Sequence, residues 1–210
     1  MAIAFDNSTA SSSASYSHTC TGSNLILWVH VGSFTATTSS VTYNGVSMTK
    51  AVDSGLQDGA YNTLWYLINP ATGSNTVAIT VSGGSLWGSE AASYTGAKQS
   101  GQPDATNSAY QTSAPLAVSV TTVADNCWVV GGGMDKSGSG VSSAGSGTTQ
   151  RSQSNNSNAI YDNNAAKTPA GSVTLNLADT AGGAHLSWVA ASFAPALAAT
   201  AKATFLLKMI

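Results

Sequence analysis

The side chains that could catalyse a reaction are few in this sequence, and their spacing fits no known catalytic pattern. A serine hydrolase places its nucleophile in a Gly-x-Ser-x-Gly turn between a strand and a helix, and none of the many serines stands in that pattern. A glycosidase needs two carboxylates that flank the bond it cleaves, but Glu90 is the only glutamate and the sequence assigns it no aspartate partner. His30 lies in an apolar stretch, which favours a structural role, and His18 lies in a polar segment and is expected to be exposed. These patterns predict that the protein is not an enzyme.

Metal and cofactor sites are disfavoured for the same reason. Cys20 and Cys127 are the only cysteines and there are three histidines, whereas a structural zinc ion takes four ligands. Asp53 and Asp58 could contribute to a calcium site, but the segment lacks the ligand number and the closing glutamate of an EF-hand loop. A polar hairpin turn is the preferred interpretation there. Whether the two cysteines form a disulfide is left open, because spacing alone does not decide it.

Composition narrows the possible partners. Charged residues make up 8% of the 210-residue chain, against about 25% in ordinary soluble proteins. The net charge is -2 and no basic stripe is present, so nucleic-acid binding is disfavoured. No apolar run reaches the length of about 18 residues that a membrane span needs. The first residues lack the pattern of a signal peptide, so we expect a protein released by lysis or one whose export signal has been removed.

Alternation of apolar and polar residues predicts β-strands along the whole chain. In Thr76–Ser82 the large apolar residues fall on odd positions, and Ser172–Leu177 and Leu116–Thr121 follow the same pattern. Side chains of a strand point alternately to opposite faces, so each of these segments is predicted to pack one face and to expose the other.

The clearest local signal is a β-hairpin turn at Asn44-Gly45. These two residues readily take the positive φ angles of a type I′ turn. The turn pairs Tyr43 with Val46 and Val41 with Met48, and both pairs are predicted to lie on the core face.

Three stretches are apolar on both faces and are predicted to be central strands: Leu25–Val29, Leu64–Ile68 and Trp128–Val130. The glycine- and serine-rich residues 131–147 and the polar residues 150–164 instead predict a long exposed hairpin or loop.

The sequence therefore predicts an all-β fold: an antiparallel two-sheet β-sandwich, jelly-roll-like, over residues 1–195, with a C-terminal apolar arm or added strand at residues 196–210. The predicted core consists of large apolar side chains from several strands: Trp28, Trp65, Tyr66, Ile79, Trp128, Val130, Leu175 and Trp188.

Several strand ends resemble a recurrent β-sandwich module of phage virion proteins and bacterial surface proteins. The matching segments are Val41–Gly45, Leu64–Pro70, Ala91–Ala97 and Ala190–Pro195, and the resemblance covers roughly residues 1–195. It implies the sandwich fold and provides no catalytic residues. A chain that starts at Met1 without an appended domain favours a self-contained virion component over a module of a larger exported protein.

The resemblance and the composition together lead to two functional hypotheses. The first is a non-enzymatic virion structural or accessory protein of a bacteriophage, such as a capsid decoration, head fibre or tail-surface component, whose partners are other virion proteins or copies of itself. The alternative is a carbohydrate-binding or adhesion module that is extracellular or at the cell surface. Exposed aromatic rings bind the apolar faces of sugars, and the possible glycan contacts are Trp87, Tyr94, Tyr110 and Tyr161. The competing interpretation places these rings in the core or as loop anchors.

The C-terminal arm is the predicted assembly element. Apolar residues alternate with Lys202, Thr204 and Lys208, and leaving them in water would be costly because each large apolar side chain gains about 1.5–3 kcal/mol on burial. The arm either forms an edge strand on its own sheet or docks on a neighbouring subunit by strand addition. The second option is favoured, with possible assembly contacts at Phe205, Leu206, Leu207, Met209 and Ile210.

Overall fold

The computed structural model describes residues 1–113, 116–136, 143–177 and 186–197. Within these ranges the chain forms β-strands and no helix, so no helix there is long and apolar enough to cross a membrane. The strands are β1 (Ala4–Ser11), β2 (Ser15–Cys20), β3 (Ile26–Phe34), β4 (Thr37–Tyr43), β5 (Val46–Ser47), β6 (Thr49–Gln57), β7 (Ala60–Ile68), β8 (Gly73–Ser82), β9 (Ser85–Thr95), β10 (Ala105–Gln111), β11 (Leu116–Thr121), β12 (Trp128–Asp135), β13 (Thr149–Ser154), β14 (Asn158–Asp162), β15 (Ser172–Leu177) and β16 (Leu186–Phe193).

The strands form four antiparallel sheets. Inner sheet 1 has the order β1-β9-β3-β7-β6, and outer sheet 1 has the order β2-β8-β4-β5. Inner sheet 2 has the order β10-β16-β12-β14-β13, and outer sheet 2 consists of β11 and β15. Three apolar clusters lie between these sheets, so the layers follow one another as outer 1, inner 1, inner 2 and outer 2. The predicted all-β antiparallel sandwich is confirmed, but it has four sheets where two were predicted, and the jelly-roll type stays a prediction.

Strand β3 illustrates why the central strands are apolar on both faces. Ile26 and Trp28 point into the cluster between the two inner sheets. Leu27 and Val29 point into the cluster between inner sheet 1 and outer sheet 1. Because both faces of an inner sheet are covered, alternation disappears and the sequence becomes a continuous apolar run.

The chain is built from two halves with the same topology, a feature that the sequence analysis did not predict. Strands β10, β11 and β12 occupy the places of β1, β2 and β3, and strands β13 to β16 occupy those of β6 to β9. Strands β4 and β5 have no counterpart among the described residues. The two inner sheets face each other, so the halves share one core.

The correspondence extends to individual residues. Ala91–Tyr94 in β9 and Ala190–Phe193 in β16 have nearly the same sequence. Tyr94 pairs with Ile26, and Phe193 pairs with Trp128, which starts the equivalent strand of the second half. Two segments that resemble motifs of one sandwich module are therefore counterparts in two halves.

The glycine-rich strand β12 corrects the prediction of an exposed hairpin or loop for residues 131–135, whereas residues 137–142 of the predicted range lie outside the described residues. Residues 131–135 are fully buried in the middle of inner sheet 2. A Cβ atom on Gly132 would lie 2.2 Å from Cγ of His30, and one on Gly133 would lie 2.8 Å from the Trp188 ring. The glycines are needed because the His30 ring of inner sheet 1 and the Trp188 ring of the adjacent strand β16 lie directly against their backbone.

For residues 150–164 the predicted hairpin is confirmed, but its predicted exposure is wrong. This segment contains most of the hairpin β13–β14, and β14 is buried throughout. Two of its buried polar residues, Ser154 and Asp162, bond to Glu90 and Tyr94 of inner sheet 1, as described below. The polar composition of residues 150–164 was therefore not evidence of an exposed loop.

The Asn44-Gly45 hairpin is confirmed. Asn44 and Gly45 have φ angles of 50° and 75°, and Tyr43 pairs with Val46. Met48 N donates to Val41 O at 2.9 Å. Val46 is 53% exposed, so its predicted place on the core face is wrong. It lies in the two-residue strand β5 at the edge of outer sheet 1.

The predicted core residues are buried, with one exception, Tyr66, which is half-buried. Its hydroxyl donates to the Gln102 carbonyl at 2.7 Å.

Candidate functional site

Two of the four predicted glycan contacts cannot reach a ligand. Tyr94 and Tyr161 are fully buried, so the prediction is wrong for both. The Tyr94 ring lies between the inner sheets, and its hydroxyl donates to Asp162 Oδ2 at 2.7 Å. The Tyr161 ring packs on Trp188 with 5.3 Å between ring centroids.

The other two predicted contacts are half-buried and lie in different inner sheets, Trp87 in β9 and Tyr110 in β10. The Trp87 ring packs on Phe34, with centroids 5.8 Å apart. Lys136 Nζ lies 6.0 Å from the Phe34 centroid and forms a 2.7 Å ion pair with Asp58. We call Phe34, Trp87 and Lys136 the aromatic patch.

A buried polar network joins the two inner sheets around His30. His30 Nδ1 lies 2.7 Å from Glu90 Oε2, and His30 Nε2 lies 2.9 Å from Asn62 Oδ1. The second carboxylate oxygen of Glu90 accepts hydrogen bonds from the backbone N–H, at 3.1 Å, and the hydroxyl of Ser154. Asn62 Nδ2 donates to the Ser187 carbonyl at 3.3 Å.

This network has the residue types of an acid–base pair but lacks access to a substrate. His30, Asn62 and Glu90 are completely buried. In the second half Gly132 and Val189 pair at the position where His30 and Glu90 pair in the first. The network therefore holds the halves in register, and Glu90 has no route to a sugar.

A second polar cluster connects β1, β2 and β9 in the first half. Ser93 Oγ donates to Asp6 Oδ2 at 2.7 Å and lies 3.2 Å from His18 Nε2. His18 Nδ1 lies 3.0 Å from Thr9 Oγ1. His18 is buried, so the expectation that it is exposed is wrong. Burial lowers the pKa of His18 to about 4, and the nearby charge of Asp6 opposes this.

The buried neutral His18 makes the protein sensitive to acid. Its pKa is about 4 in the folded protein and about 6.5 in an unfolded chain, so the unfolded state binds the extra proton first. The contribution of neutral His18 to the free energy of unfolding is therefore fully present above about pH 6.5 and falls as the pH drops towards 4. The total loss is about 3 kcal/mol. Urea unfolding at pH 7 and pH 4 measures this loss, which should be clearly smaller in His18→Gln. An equal loss in both proteins would contradict the assignment.

A third polar group lies between the halves at Asp162. Arg151 Nε donates to Asp162 Oδ2 at 2.6 Å, and the Arg151 guanidinium lies 4.1 Å from the Phe5 ring centroid. Burial raises the pKa of Asp162, and the hydrogen bond from Arg151 opposes this rise. This ion pair connects β13 and β14 to the first half.

The cysteines and acidic residues do not form a metal site in the described part of the chain. Cys20 and Cys127 are buried free thiols in different halves. No group of three or more His, Cys, Asp or Glu side chains there is placed to hold a metal ion.

An apolar cleft lies where the two halves, the N-terminal residues and residues 194–197 meet. Its volume is about 580 Å³, within the range of about 300–1,000 Å³ that is typical of ligand pockets. We call it the terminal cleft. Its lining comes from both halves: Met1, Ala2, Ile3, Lys98, Ala124, Asp125, Asn126, Trp128, Ala166, Ala194, Pro195, Ala196 and Leu197.

Backbone contacts fix the rim of the terminal cleft. The Met1 amino group donates to the Ala196 carbonyl at 2.7 Å, and Ala196 N donates to the Gly96 carbonyl at 2.7 Å. The next residue, Leu197, is 87% exposed. The predicted assembly contacts begin at Phe205 and lie outside the described residues. No sequence pattern predicted the cleft, because its walls come from segments far apart in the chain.

Comparisons of the chain with models of protein families, with curated proteins and with solved structures gave no match.

Proposed function

We propose that this protein is a non-enzymatic structural or accessory component of a bacteriophage virion, such as a capsid decoration, head fibre or tail-surface protein. The observation that carries the proposal is the terminal cleft, an apolar recess from whose rim the apolar C-terminal segment leaves. A recess and an arm on one molecule are the parts that strand- or peptide-mediated assembly uses.

The polar groups support the proposal in a second way. The residue types that an enzyme would use, His30 and Glu90, are enclosed between the halves and bonded to each other. The low charge of the chain also suits a surface that packs against other protein surfaces rather than one that attracts ionic substrates.

Density-gradient centrifugation tests the proposal. Particles purified from the native source should carry the protein in a fixed ratio to their main shell protein, and the ratio should survive washing at high salt. If the protein stays at the top of the gradient, the proposal fails.

A carbohydrate-binding role is the second candidate, and the aromatic patch favours it. A half-buried tryptophan beside a second ring and a lysine is a surface on which a sugar face can stack. Glycan-array binding that is lost in Trp87→Ala and retained in Tyr161→Phe would support it, because Tyr161 is buried. An array without binding would remove this candidate.

A further inference from the structure

We propose that the terminal cleft is the receptor for residues 198–210 of a second copy of this chain, so that copies join head to tail. This inference rests on the proposed function and identifies the partner of the cleft as the protein itself.

The cleft has the shape and chemistry of a peptide receptor. It is open to solvent, and its floor includes Ile3, Trp128 and Ala194, which are largely buried but line the recess. Alanines 124 and 166 on its walls leave room for incoming side chains. A volume of about 580 Å³ accommodates several large apolar side chains of a short peptide.

The C-terminal segment has the complementary sequence. Residues 198–210 carry one phenylalanine and four further large apolar side chains, and two lysines. Asp125 on the cleft wall is exposed and offers a carboxylate to such lysines. Apolar residues at alternate positions suit a strand whose one face enters the recess.

The length of residues 198–210 and their lack of turn-forming residues favour binding to the cleft of a neighbouring copy over binding to the cleft of the same molecule. Residues 198–210 contain no Gly, Pro, Asn or Asp, the residues that make tight chain reversals. An extended strand rises about 3.3 Å per residue, so Phe205 would lie about 26 Å from Leu197. At that distance Phe205 and the residues after it are beyond the recess beside Leu197 and within reach of the recess of another molecule.

The interface between an arm and a cleft is heterologous. One molecule gives its arm to a second, whose own arm remains free for a third. Such contacts build closed rings or open filaments rather than simple two-fold dimers.

The test uses two full-length variants with complementary defects. Ala166→Trp fills the cleft from an exposed position and leaves the arm intact, whereas Leu207→Asp damages the arm and leaves the cleft intact. Ala14→Trp is the matched control, because Ala14 is also exposed and does not line the cleft. Sedimentation velocity over a range of concentrations measures self-association.

We expect the wild-type protein and Ala14→Trp to self-associate alike. Ala166→Trp and Leu207→Asp should each need at least ten times the wild-type protein concentration to self-associate to the same extent. A mixture of Ala166→Trp and Leu207→Asp should form a 1:1 complex that stops at two copies, because only one intact arm meets an intact cleft.

Three results would overturn the inference: a monomeric wild-type protein at every concentration, variants that associate as well as Ala14→Trp, or a mixture that forms no 1:1 complex. If any of these occurs while the protein still bands with particles, the inference alone fails. If self-association behaves as expected but the protein is absent from particles, the proposed function fails instead.

Discussion

Replacing His30 by alanine is expected to lower the free energy of unfolding by about 3–5 kcal/mol. The substitution leaves the Glu90 carboxylate completely buried, without the partner that lies 2.7 Å away. It also removes the N–H donor that faces Asn62 Oδ1 and opens a cavity between the inner sheets. Urea unfolding at pH 7 followed by tryptophan fluorescence measures the loss.

The double variant His30→Leu with Glu90→Val provides the control. It replaces both members of the pair by apolar groups, as Val189 replaces Glu90 in the second half. Replacing both members of a buried pair together is often neutral, so the double variant should recover a clear part of the stability lost in His30→Ala. A cost below about 1 kcal/mol for His30→Ala would contradict the role assigned to the network.

Replacing Trp128 by alanine should cost a similar amount, about 3–5 kcal/mol. The ring lies between the two inner sheets and packs edge-on against Tyr94, with 5.9 Å between centroids. Its loss leaves a cavity at the point where the halves meet and removes part of the floor of the terminal cleft. Thermal and urea unfolding both report the change.

Trp87→Ala is the matched control for this prediction. Trp87 is the same residue type but is half-buried and packs mainly on Phe34. Its replacement should cost clearly less, because the site borders solvent and leaves no enclosed cavity. Equal costs for the two variants would mean that the shared core between the halves does not stabilise the fold as described.

Local features of this fold could be predicted from the sequence because they depend on short-range rules. The alternation of apolar and polar residues predicted strands at Thr76–Ser82 and Ser172–Leu177, which form part of β8 and all of β15. The Asn44-Gly45 pair predicted the turn that is found there. The doubly apolar stretch Leu25–Val29 correctly indicated a strand covered on both faces. Each of these signals is contained in fewer than ten neighbouring residues.

Features that depend on contacts between segments far apart in the chain could not be predicted. Gly131–Gly133 resembles a loop in sequence, yet these glycines are required because His30 and Trp188 of other strands lie against them. Tyr94 is buried because inner sheet 2 covers it, and Tyr161 is buried because outer sheet 2 covers it. The terminal cleft forms where residues near positions 1, 125 and 196 come together, and no short-range sequence pattern predicts contacts between segments so far apart.

Immunogold electron microscopy of particles released by the native source tests the proposed virion role most directly. If the protein is a virion component, gold is expected at regular positions on intact particles, at their shell, fibres or tail surface. Gold confined to cell envelopes, with unlabelled particles beside them, would contradict it.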